Sequence, residues 1–306
     1  MKVAFAGTPD FAATILRGLL SSDHEVGLVI SQPDPRKGRG RKYQATPVAE
    51  LARATSLPLR QPARISEVAE EISRHEALVV AAFGQILRPD TLYAASEGAW
   101  NVHASLLPKY RGAAPIERAI MEGETQTGVS IMRMDEGLDT GPVALQRRVE
   151  ISPEITGGEL TELLAHVGAK AVVESLTLLE AGRLTLVEQN NLHATYASKL
   201  SEEDKIIRWE RGVEEVHNLI RALSPHIGAR AFHPEVEGAV KIWRSRVVKD
   251  TDISLEIGEI YAENWRIVVG CASGLLEVLE LQMPAAKRLR AHDFLLGNTL
   301  RGAFAV

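Results

Sequence analysis

The sequence predicts an α/β protein with a mostly parallel, helix-covered sheet in its N-terminal part and a small antiparallel β-barrel in its C-terminal part. Three observations predict this fold class. The first half alternates short β-branched runs with helical patterns, which is typical of parallel sheets. The C-terminal part contains several short strands separated by turn residues. A length of 306 residues suits two domains better than one.

The elements of the first half follow from local patterns. Thr8-Pro9 and Thr46-Pro47 each place a hydroxyl before a proline, so each pair is expected to cap the start of a helix. A longer helix is expected over about Gly158–Leu179, where leucines recur at helical spacing. The strands expected in this half are Lys2–Phe5, Val26–Ser31, Leu78–Phe83, Trp100–His103 and Val129–Met132.

A polar, irregular stretch separates the two parts of the chain. Residues 189–204 are predicted to form a linker, so the predicted domains are residues 1–188 and residues 205–306. A helix at Val213–Leu223 is expected to open the second domain. The strands expected after it are Ala229–Phe232, Val240–Val248, Gly258–Tyr261, Arg266–Val269 and Leu275–Leu281.

The composition excludes several classes of protein. With 45% hydrophobic and 25% charged residues, the chain is neither disordered nor a membrane protein. The N-terminal apolar run breaks at Gly7 and Pro9, which makes it too short for a signal peptide, and no apolar stretch approaches the roughly 18–20 residues of a bilayer span. We therefore expect a cytoplasmic protein with no membrane partner.

The cysteine and histidine content argues against a metal site. Cys271 is the single cysteine of the sequence, which excludes an internal disulfide and a thiolate metal cluster. The nine histidines are dispersed and show no zinc or iron spacing. We therefore expect no metal in the reaction.

A nicotinamide dehydrogenase is disfavoured by the turn after the first strand. The turn reads Gly7-Thr8-Pro9-Asp10, without the second and third glycines of a dinucleotide-binding motif. Pro9 also removes one of the amide groups that would bind a phosphate at the start of a helix. Gly7 is therefore interpreted as part of a tight strand-to-helix turn.

Three polar residues are the candidate catalytic group. Asn101 and His103 lie two residues apart at the end of a predicted strand, so strand alternation places both on one face. Ligands of open parallel sheets bind at the carboxyl ends of strands. Asp139 lies in a glycine-containing loop after another predicted strand, and this loop is expected to emerge from the same edge of the sheet. Taken singly, each residue is better explained as a structural one, and only their combination indicates chemistry.

A longer pattern surrounds these residues. Residues 101–112 read Asn-x-His-x-Ser-Leu-Leu-Pro-x-Tyr-Arg-Gly, and residues 135–141 read Asp-x-Gly-x-Asp-x-Gly. This composite resembles the site of the 10-formyltetrahydrofolate-dependent formyltransferases. Four further features are similar to those of the family members that act on methionyl-tRNA. These features are Phe5–Phe11, Gln32-Pro-Asp with Gly38-Arg-Gly40, Ala82–Leu87 and the C-terminal barrel.

The resemblance implies both a fold and an activity. It implies a Rossmann-like N-terminal domain and an OB-like C-terminal domain that binds tRNA. The formyl group of 10-formyltetrahydrofolate would move to the amine of methionyl initiator tRNA, for translation initiation. We expect that no protein partner is required.

The resemblance also implies roles for individual residues. Asn101 and His103 would donate hydrogen bonds to the negatively charged oxygen of the tetrahedral intermediate, while Asp139 would orient His103 and accept a proton through a water. Ser105 is not expected to be a nucleophile, because the folate already carries an activated acyl group. The segments implied to contact the folate are Ser105, Leu106, Leu107 and Pro108, and Phe83, Gly84, Gln85, Ile86 and Leu87.

A basic run favours tRNA as the acceptor. A protein with a net charge of −5 that binds a polyanion must concentrate its cations locally, and residues 36–42 hold five cations. A second basic stripe is expected at Lys241, Arg244, Arg246 and Lys249. Formyltransferases that act on sugar-nucleotide amines or on glycinamide ribonucleotide remain the competing interpretations. An RNA-binding module without activity is disfavoured, because it would not need Asn101, His103 and Asp139 together. The residues expected to bind tRNA in the basic run are Arg36, Lys37, Arg39, Arg41 and Lys42.

Overall fold

The structure is a computed structural model that describes residues 1–37, 42–249 and 252–306, with the backbone alone at Arg36, Lys37 and Lys42. The chain divides into two compact units. Unit 1 consists of Met1–Pro115, Gln126–Glu150 and Thr161–Ala197, and unit 2 consists of Ile116–Thr125, Ile151–Leu160 and Ser198–Val306. The domain limits 1–188, 189–204 and 205–306 stay a prediction.

The elements up to residue 197 are mostly those of unit 1. The helices are α1 (Asp10–Leu20), α2 (Pro47–Ala54), α3 (Ala69–Ile72), α4 (Pro89–Leu92), α5 (Pro115–Met121) and α6 (Gly157–Glu180), of which α5 and α6 contribute residues to both units. The strands are β1 (Lys2–Gly7), β2 (Glu25–Ile30), β3 (Arg36–Lys37), β4 (Lys42–Tyr43), β5 (Leu59–Arg60), β6 (Ala77–Ala81), β7 (Ala99–His103), β8 (Arg111–Gly112), β9 (Gln126–Arg133), β10 (Val143–Glu150) and β11 (Tyr196–Ala197).

The main sheet of unit 1 has seven strands in the order β10-β9-β7-β6-β1-β2-β5. The neighbours from β7 to β5 are parallel, which confirms the predicted mostly parallel sheet. However, β9 pairs antiparallel with β7, and β10 pairs antiparallel with β9. The strand predicted at Val129–Met132 is therefore present but does not belong to the parallel part, because an apolar run does not encode the direction of a strand.

The centre of this sheet is buried on both faces. Every residue of β6 is buried, and so is every residue of β1 after Lys2. Helices cover both faces of parallel sheets, so such strands are continuously apolar. On one side, Ala4, Leu28 and Leu78 belong to a single apolar cluster. Because β7 pairs with β6, the strand end at which the candidate site begins adjoins this buried part of the sheet.

The two predicted helix caps had different outcomes. Thr46 caps α2 as expected, because its hydroxyl accepts a hydrogen bond from the Ala49 amide at 3.2 Å. The prediction for Thr8 is wrong. Its hydroxyl donates to the Phe83 carbonyl oxygen at 3.0 Å, and Pro9 stands at the start of α1 without a side-chain cap. Thr8 therefore joins the loop after β1 to the loop after β6.

Unit 2 is built on an antiparallel sheet. Its strands lie in the order β12-β13-β16-β15-β14, with β17 also paired to β16, which confirms the predicted C-terminal antiparallel domain. A buried cluster that includes Trp209, Ile220 and Leu276 forms its core. The elements are α7 (Val213–Ala222), β12 (Ala229–Phe232), β13 (Ala239–Val248), β14 (Ile260–Glu263), β15 (Arg266–Cys271), β16 (Gly274–Gln282), β17 (Arg288–Arg290) and α8 (Ala291–Leu295).

One ion pair inside unit 2 joins two distant segments of sequence. The Arg118 guanidinium donates to both carboxylate oxygens of Asp204, at 2.9 and 2.7 Å. The Ser201 amide and hydroxyl donate to the same carboxylate. These hydrogen bonds, with that from Arg118 the strongest cause, lower the pKa of Asp204 to about 2.

No helix among the described residues combines the length and the apolar character that a membrane span requires.

The Asp204 carboxylate predicts a pH-dependent stability. Its folded pKa lies below the ordinary value of 3.8, so it stabilises unit 2 above about pH 4 and the contribution is lost as the pH falls towards 2. We expect Asp204→Asn to lower the free energy of unfolding by about 1–2 kcal/mol at pH 7, because the pair is only partly shielded from solvent. Thermal unfolding at several pH values measures this difference, which should shrink between pH 4 and pH 2. Glu203→Gln is the matched control, and an equal effect of Asp204→Asn at every pH would contradict the assignment.

Candidate active site

The structure brings the three candidate catalytic residues together. The Asn101 side-chain amide donates to Asp139 Oδ1 at 3.3 Å, and His103 Nδ1 lies 3.6 Å from Asp139 Oδ2. The side chains of His103 and Asp139 are 6% and 13% exposed, so the cluster is largely shielded from solvent. Asn101 and His103 both reach Asp139 because alternate residues of β7 face the same side.

The route by which Asp139 arrives differs from the prediction. Trp100 pairs with Arg133 and His103 pairs with Ser130, so β9 ends beside the start of β7 and not beside its carboxyl end. The expectation that the Asp139 loop emerges from the carboxyl edge is therefore wrong. The loop of residues 134–142 instead folds back, and Asp139 adopts a left-handed backbone conformation with φ of 53°.

Two glycines allow the backbone to approach closely here. A Cβ at Gly141 would lie 1.9 Å from the Arg133 carbonyl oxygen. Gly112 has φ of +118°, and a Cβ there would lie 2.7 Å from the Ala197 carbonyl oxygen. The Gly112 amide donates to Asp139 Oδ2 at 2.8 Å. A side chain at either position would displace the loop or the strand that holds the carboxylate.

The hydrogen-bond partners of His103 determine its tautomer. Nε2 lies 2.9 Å from the Tyr110 carbonyl oxygen, which can only accept, so Nε2 carries a hydrogen and donates it. When the ring is neutral, it therefore presents an unprotonated Nδ1 beside Asp139. This differs from the expected role of His103 as a donor to the substrate oxygen, because the one N–H of the neutral ring is already bound to Tyr110.

A hydrogen-bonded support behind Asp139 was not predicted from the sequence. The Gln189 amide donates to the Asp139 carbonyl oxygen at 2.8 Å and to the Gly141 carbonyl oxygen at 2.7 Å. Its own oxygen accepts two hydrogen bonds from Arg111, at 3.1 and 2.8 Å. Arg111 is 2% exposed and also donates to Asn191. The sequence pattern places Gln189 and Asn191 in the linker, because nothing local marks a residue whose partners lie 50–80 positions away.

The segment Ser105–Pro108 forms a tight turn after β7. The Ser105 hydroxyl donates to the Lys109 carbonyl oxygen at 2.6 Å and is buried, as suits a structural residue. The Leu107 amide donates to the Ser130 hydroxyl at 3.0 Å, and the Leu107 carbonyl accepts from Gln146. Leu107 is buried, while Leu106 and Pro108 are partly exposed.

The segment Phe83–Leu87 combines buried and exposed residues. Phe83 and Leu87 belong to the core cluster of unit 1. The Gln85 side chain accepts from the Ile65 amide and donates to the Ala63 carbonyl oxygen, so it is engaged in holding the loop. Gly84 is exposed with φ of +85°, and the Ile86 side chain is 91% exposed. An isoleucine so exposed gives the loop after β6 an apolar surface.

The basic run lies mostly outside the described residues. The backbone pairs β3 with β4, with Arg36 opposite Tyr43 and Lys37 opposite Lys42. Arg39 and Arg41, and the side chains of the three other predicted tRNA-binding cations, lie outside the described part of the chain. Their roles stay a prediction.

Most cations of the second predicted basic stripe already form ion pairs or hydrogen bonds within the protein. Arg244 and Arg246 are exposed on β13 and pair with Glu159 and Glu277, at 3.2 and 2.6 Å. Lys241 donates to the Ile227 carbonyl oxygen at 2.9 Å. Burial and the neighbouring cations lower the pKa of Lys241.

A metal centre receives no support from the described residues, among which no group of three or more His, Cys, Asp or Glu side chains is arranged to hold an ion. Cys271 is buried in unit 2, and this burial raises the pKa of its thiol to about 12. A thiol that stays protonated at neutral pH is not a nucleophile.

Comparison with known protein families decides the kind of protein that carries these residues. The family model "Formyl transferase" matches residues 1–176. The chain belongs to the formyl transferase family. The model "Formyl transferase, C-terminal domain" matches residues 199–299, so both parts of the chain resemble formyl transferases. The family predicted from the motifs is confirmed.

Relatives of similar length strengthen the assignment. The chain is 64% identical over 303 residues to the methionyl-tRNA formyltransferase of Rubrobacter xylanophilus, with 99% of each chain covered. It is 42% identical over 307 residues to that of Pelotomaculum thermopropionicum, with 98% of this chain and 96% of the relative covered.

Solved structures of formyl transferases share the fold at low identity. An N-formyltransferase from Helicobacter canadensis, in complex with folinic acid and dTDP-3-aminofucose, matches with a TM-score of 0.69 and 19% identity, over 91% of this chain and 98% of that one. The methionyl-tRNA formyltransferase from Clostridium thermocellum matches with a TM-score of 0.57 and 16% identity, over 81% and 94%.

The Gln189 support predicts a loss of turnover without contact to the reacting atoms. Gln189→Ala removes both hydrogen bonds to the Asp139 loop, and a displacement of a catalytic group by about 1 Å can cost about 10²-fold. We expect kcat to fall by about 10–100-fold with KM nearly unchanged. Steady-state kinetics measure this split. Asn191→Ala is the matched control, because it removes one hydrogen-bond partner of Arg111 and no hydrogen bond to the Asp139 loop. A Gln189→Ala enzyme with wild-type kcat would contradict the positioning role.

Proposed function

We propose that this chain transfers the formyl group of 10-formyltetrahydrofolate to the free amine of methionyl initiator tRNA. The observation that carries the proposal is the convergence of Asn101, His103 and Asp139 in a shielded site of a formyl transferase. The 64% identity to a methionyl-tRNA formyltransferase over nearly the whole chain supports tRNA as the acceptor. We place the reaction in the cytoplasm, beside translation initiation, and it needs no protein partner.

Asn101 is proposed to stabilise the developing oxyanion. When the amine attacks the formyl carbon, the electrons of the C=O bond move to the oxygen, which becomes negatively charged. The Asn101 amide carries two hydrogens, and Asp139 accepts one of them. The other is proposed to bind this oxygen. A single donor of this kind contributes about 2.7–4 kcal/mol to lowering a barrier.

His103 and Asp139 are proposed to move the proton. The attacking nitrogen must lose a proton, and the folate N10 must gain one as its bond to the formyl carbon breaks. The unprotonated Nδ1 of His103 can accept a proton, directly or through a water. The Asp139 carboxylate, 3.6 Å away, stabilises the imidazolium that results. The same proton can then pass to N10, so acid and base are one pair and no covalent enzyme intermediate forms.

The two loops beside β6 and β7 are proposed to hold the folate. The hydrogen-bonded turn of Ser105, Leu106, Leu107 and Pro108 begins two residues after His103. The exposed Ile86, together with the backbone of Phe83, Gly84, Gln85 and Leu87, is proposed to contact the pterin. An apolar side chain that is 91% exposed without a ligand suits a flat aromatic partner.

The basic run at residues 36–42 is proposed to hold the acceptor end of the tRNA. The proposal is supported by charge, because a chain with net charge −5 needs a local concentration of cations to bind a polyanion. The cations concerned are Arg36, Lys37, Arg39, Arg41 and Lys42.

A comparison of acceptors tests the proposed function. Purified protein is mixed with 10-formyltetrahydrofolate and with charged initiator tRNA, charged elongator tRNA or an amino-sugar nucleotide. Rapid formylation of the initiator tRNA alone is the expected result. Preferential formylation of the amino-sugar nucleotide would show that the acceptor is an amino sugar and not tRNA.

The catalytic group predicts non-additive losses. His103→Ala and Asp139→Asn should each lower kcat by about 10²–10⁴, with little change in tRNA affinity, because both act on the same proton. The double variant should be little worse than the more damaged single variant. Single-turnover formylation measures these rates. If a triple variant that lacks the side-chain groups of Asn101, His103 and Asp139 formylates tRNA at a rate within tenfold of wild type, these residues are not the catalytic group.

The basic run predicts a loss that is specific to tRNA. Arg39→Ala should lower kcat/KM for tRNA, with a loss of transition-state stabilisation of about 1–3 kcal/mol. The reason is that a planar guanidinium makes bidentate contacts to phosphate or a base edge. A small free amine, if it reacts, should react at the wild-type rate. Arg17→Ala, which removes an exposed arginine of α1, is the matched control. If Arg39→Ala formylates tRNA with wild-type kcat/KM, the basic run is only a solvated surface and does not bind tRNA.

A further inference from the structure

One tryptophan of unit 2 is exposed although the other tryptophans of the chain are buried. Trp100, Trp209 and Trp243 are 2%, 0% and 5% exposed. Trp265 is 53% exposed and lies at the turn between β14 and β15. A large aromatic ring is placed in solvent at a cost, because its burial is among the strongest contributions to a core.

The backbone of this turn makes the choice of tryptophan more unusual. Asn264 and Trp265 both have positive φ, of 49° and 63°. Two-residue hairpin turns of this kind favour Asn followed by Gly, since a side chain strains the left-handed conformation. For a bulky residue such a φ is an outlier. Neither the core nor the turn therefore requires the ring, and strained, exposed residues of this kind concentrate at binding sites.

Trp265 forms one wall of a cavity of about 320 Å³. Leu295 and Leu300 supply apolar surface to this cavity, and Asn298 and Thr299 supply polar groups. The His292 ring of α8 contacts the Trp265 ring, with the two ring centroids 5.4 Å apart and the planes tilted by 44°. The size is at the lower end of the range for small-ligand sites, which is about 300–1,000 Å³.

The cavity also contains an available cation. Arg301 is exposed, and its guanidinium makes no hydrogen bond or ion pair with any of the residues that the structure describes. By contrast, Arg266, next to Trp265, is paired with Glu277 at 2.9 Å. Exposed Arg290 directly precedes α8, which carries His292. An aromatic face, apolar surface, amide groups and a guanidinium without a partner in the described part of the chain are thus combined at one place.

This combination matches the chemistry of one nucleotide. The flat face of a base stacks on an aromatic ring whatever its sequence, amides bind the base edge, and a guanidinium binds phosphate. In a duplex the base faces are covered by their neighbours, so the partner must be an unpaired base. Glu263, which also lines the cavity, would repel a continuous phosphate backbone and would instead accept a hydrogen bond from an exocyclic amine.

We propose that the cavity around Trp265 and Arg301 binds one unpaired nucleotide of the RNA acceptor, with the base stacked on Trp265. The inference rests on the proposed function in taking RNA as the partner. It adds a contact to a base in unit 2 to the contacts that the basic run would make in unit 1.

Fluorescence provides a direct test of contact. Because the three other tryptophans are buried, quenching by the neutral quencher acrylamide reports mainly on Trp265. Uncharged initiator tRNA should protect this fluorescence, and so should a single-stranded oligonucleotide at higher concentration. A blunt RNA duplex should not. In Trp265→Leu, both the acrylamide quenching assigned to Trp265 and its protection by tRNA should be absent.

Two matched variants test the contribution of the ring. Trp265→Leu keeps an apolar side chain and loses the stacking face, so Kd and KM for tRNA should rise by about 5- to 150-fold with kcat unchanged. Trp265→Phe keeps a ring and should recover most of the affinity. Trp265→Gly should leave the unfolding temperature unchanged or higher, because glycine suits the left-handed turn.

The outcomes separate this inference from the proposed function. If wild type formylates tRNA but Trp265→Leu binds it within twofold of wild type, the cavity is not an RNA site. If Trp265→Gly unfolds at a clearly lower temperature and Trp265→Leu keeps its tRNA affinity, the ring is a packing residue. If wild type fails to formylate tRNA while single-stranded RNA still protects Trp265, the cavity binds nucleotides and the proposed acceptor is wrong.

Discussion

The candidate site depends on the hydrogen bonds that hold the Asp139 carboxylate. A shielded carboxylate is costly unless its oxygens are bound, and here the Gly112 amide and the Asn101 side chain both donate to it. The backbone of the same residue is held by Gln189, which Arg111 holds in turn. Each donor comes from a different segment, so the fold of unit 1 as a whole sets the position of this carboxylate.

Several features of the site could be predicted because they are local. Alternation on β7 placed Asn101 and His103 together, and apolar runs located the buried strands. Features that depend on distant partners could not be predicted. The reversed direction of β9 changes no residue pattern, and the clamp of Gln189 on Asp139 spans 50 positions. Thr8 resembles a helix cap, but its hydroxyl serves the Phe83 carbonyl 75 residues away.

Charge alone is a weak guide to an RNA partner in this chain. The net charge is −5, and Arg244 and Arg246 of the predicted basic stripe are already paired with glutamates. Cations that are paired release fewer counterions on binding RNA and contribute less to affinity. Recognition that does not depend on net charge, such as stacking of a base on an exposed ring, gains importance in an acidic protein. The exposed, strained Trp265 is of this kind.

The central claim about the chemistry is that His103 donates from Nε2 to Tyr110 and keeps Nδ1 for the proton beside Asp139. The most direct measurement is ¹⁵N NMR of the histidine side chains, with the His103 signals assigned by comparison with His103→Gln. We expect the neutral ring to carry its hydrogen on Nε2 and to leave Nδ1 without one. A neutral His103 that carries its hydrogen on Nδ1 would contradict the proposed direction of proton transfer.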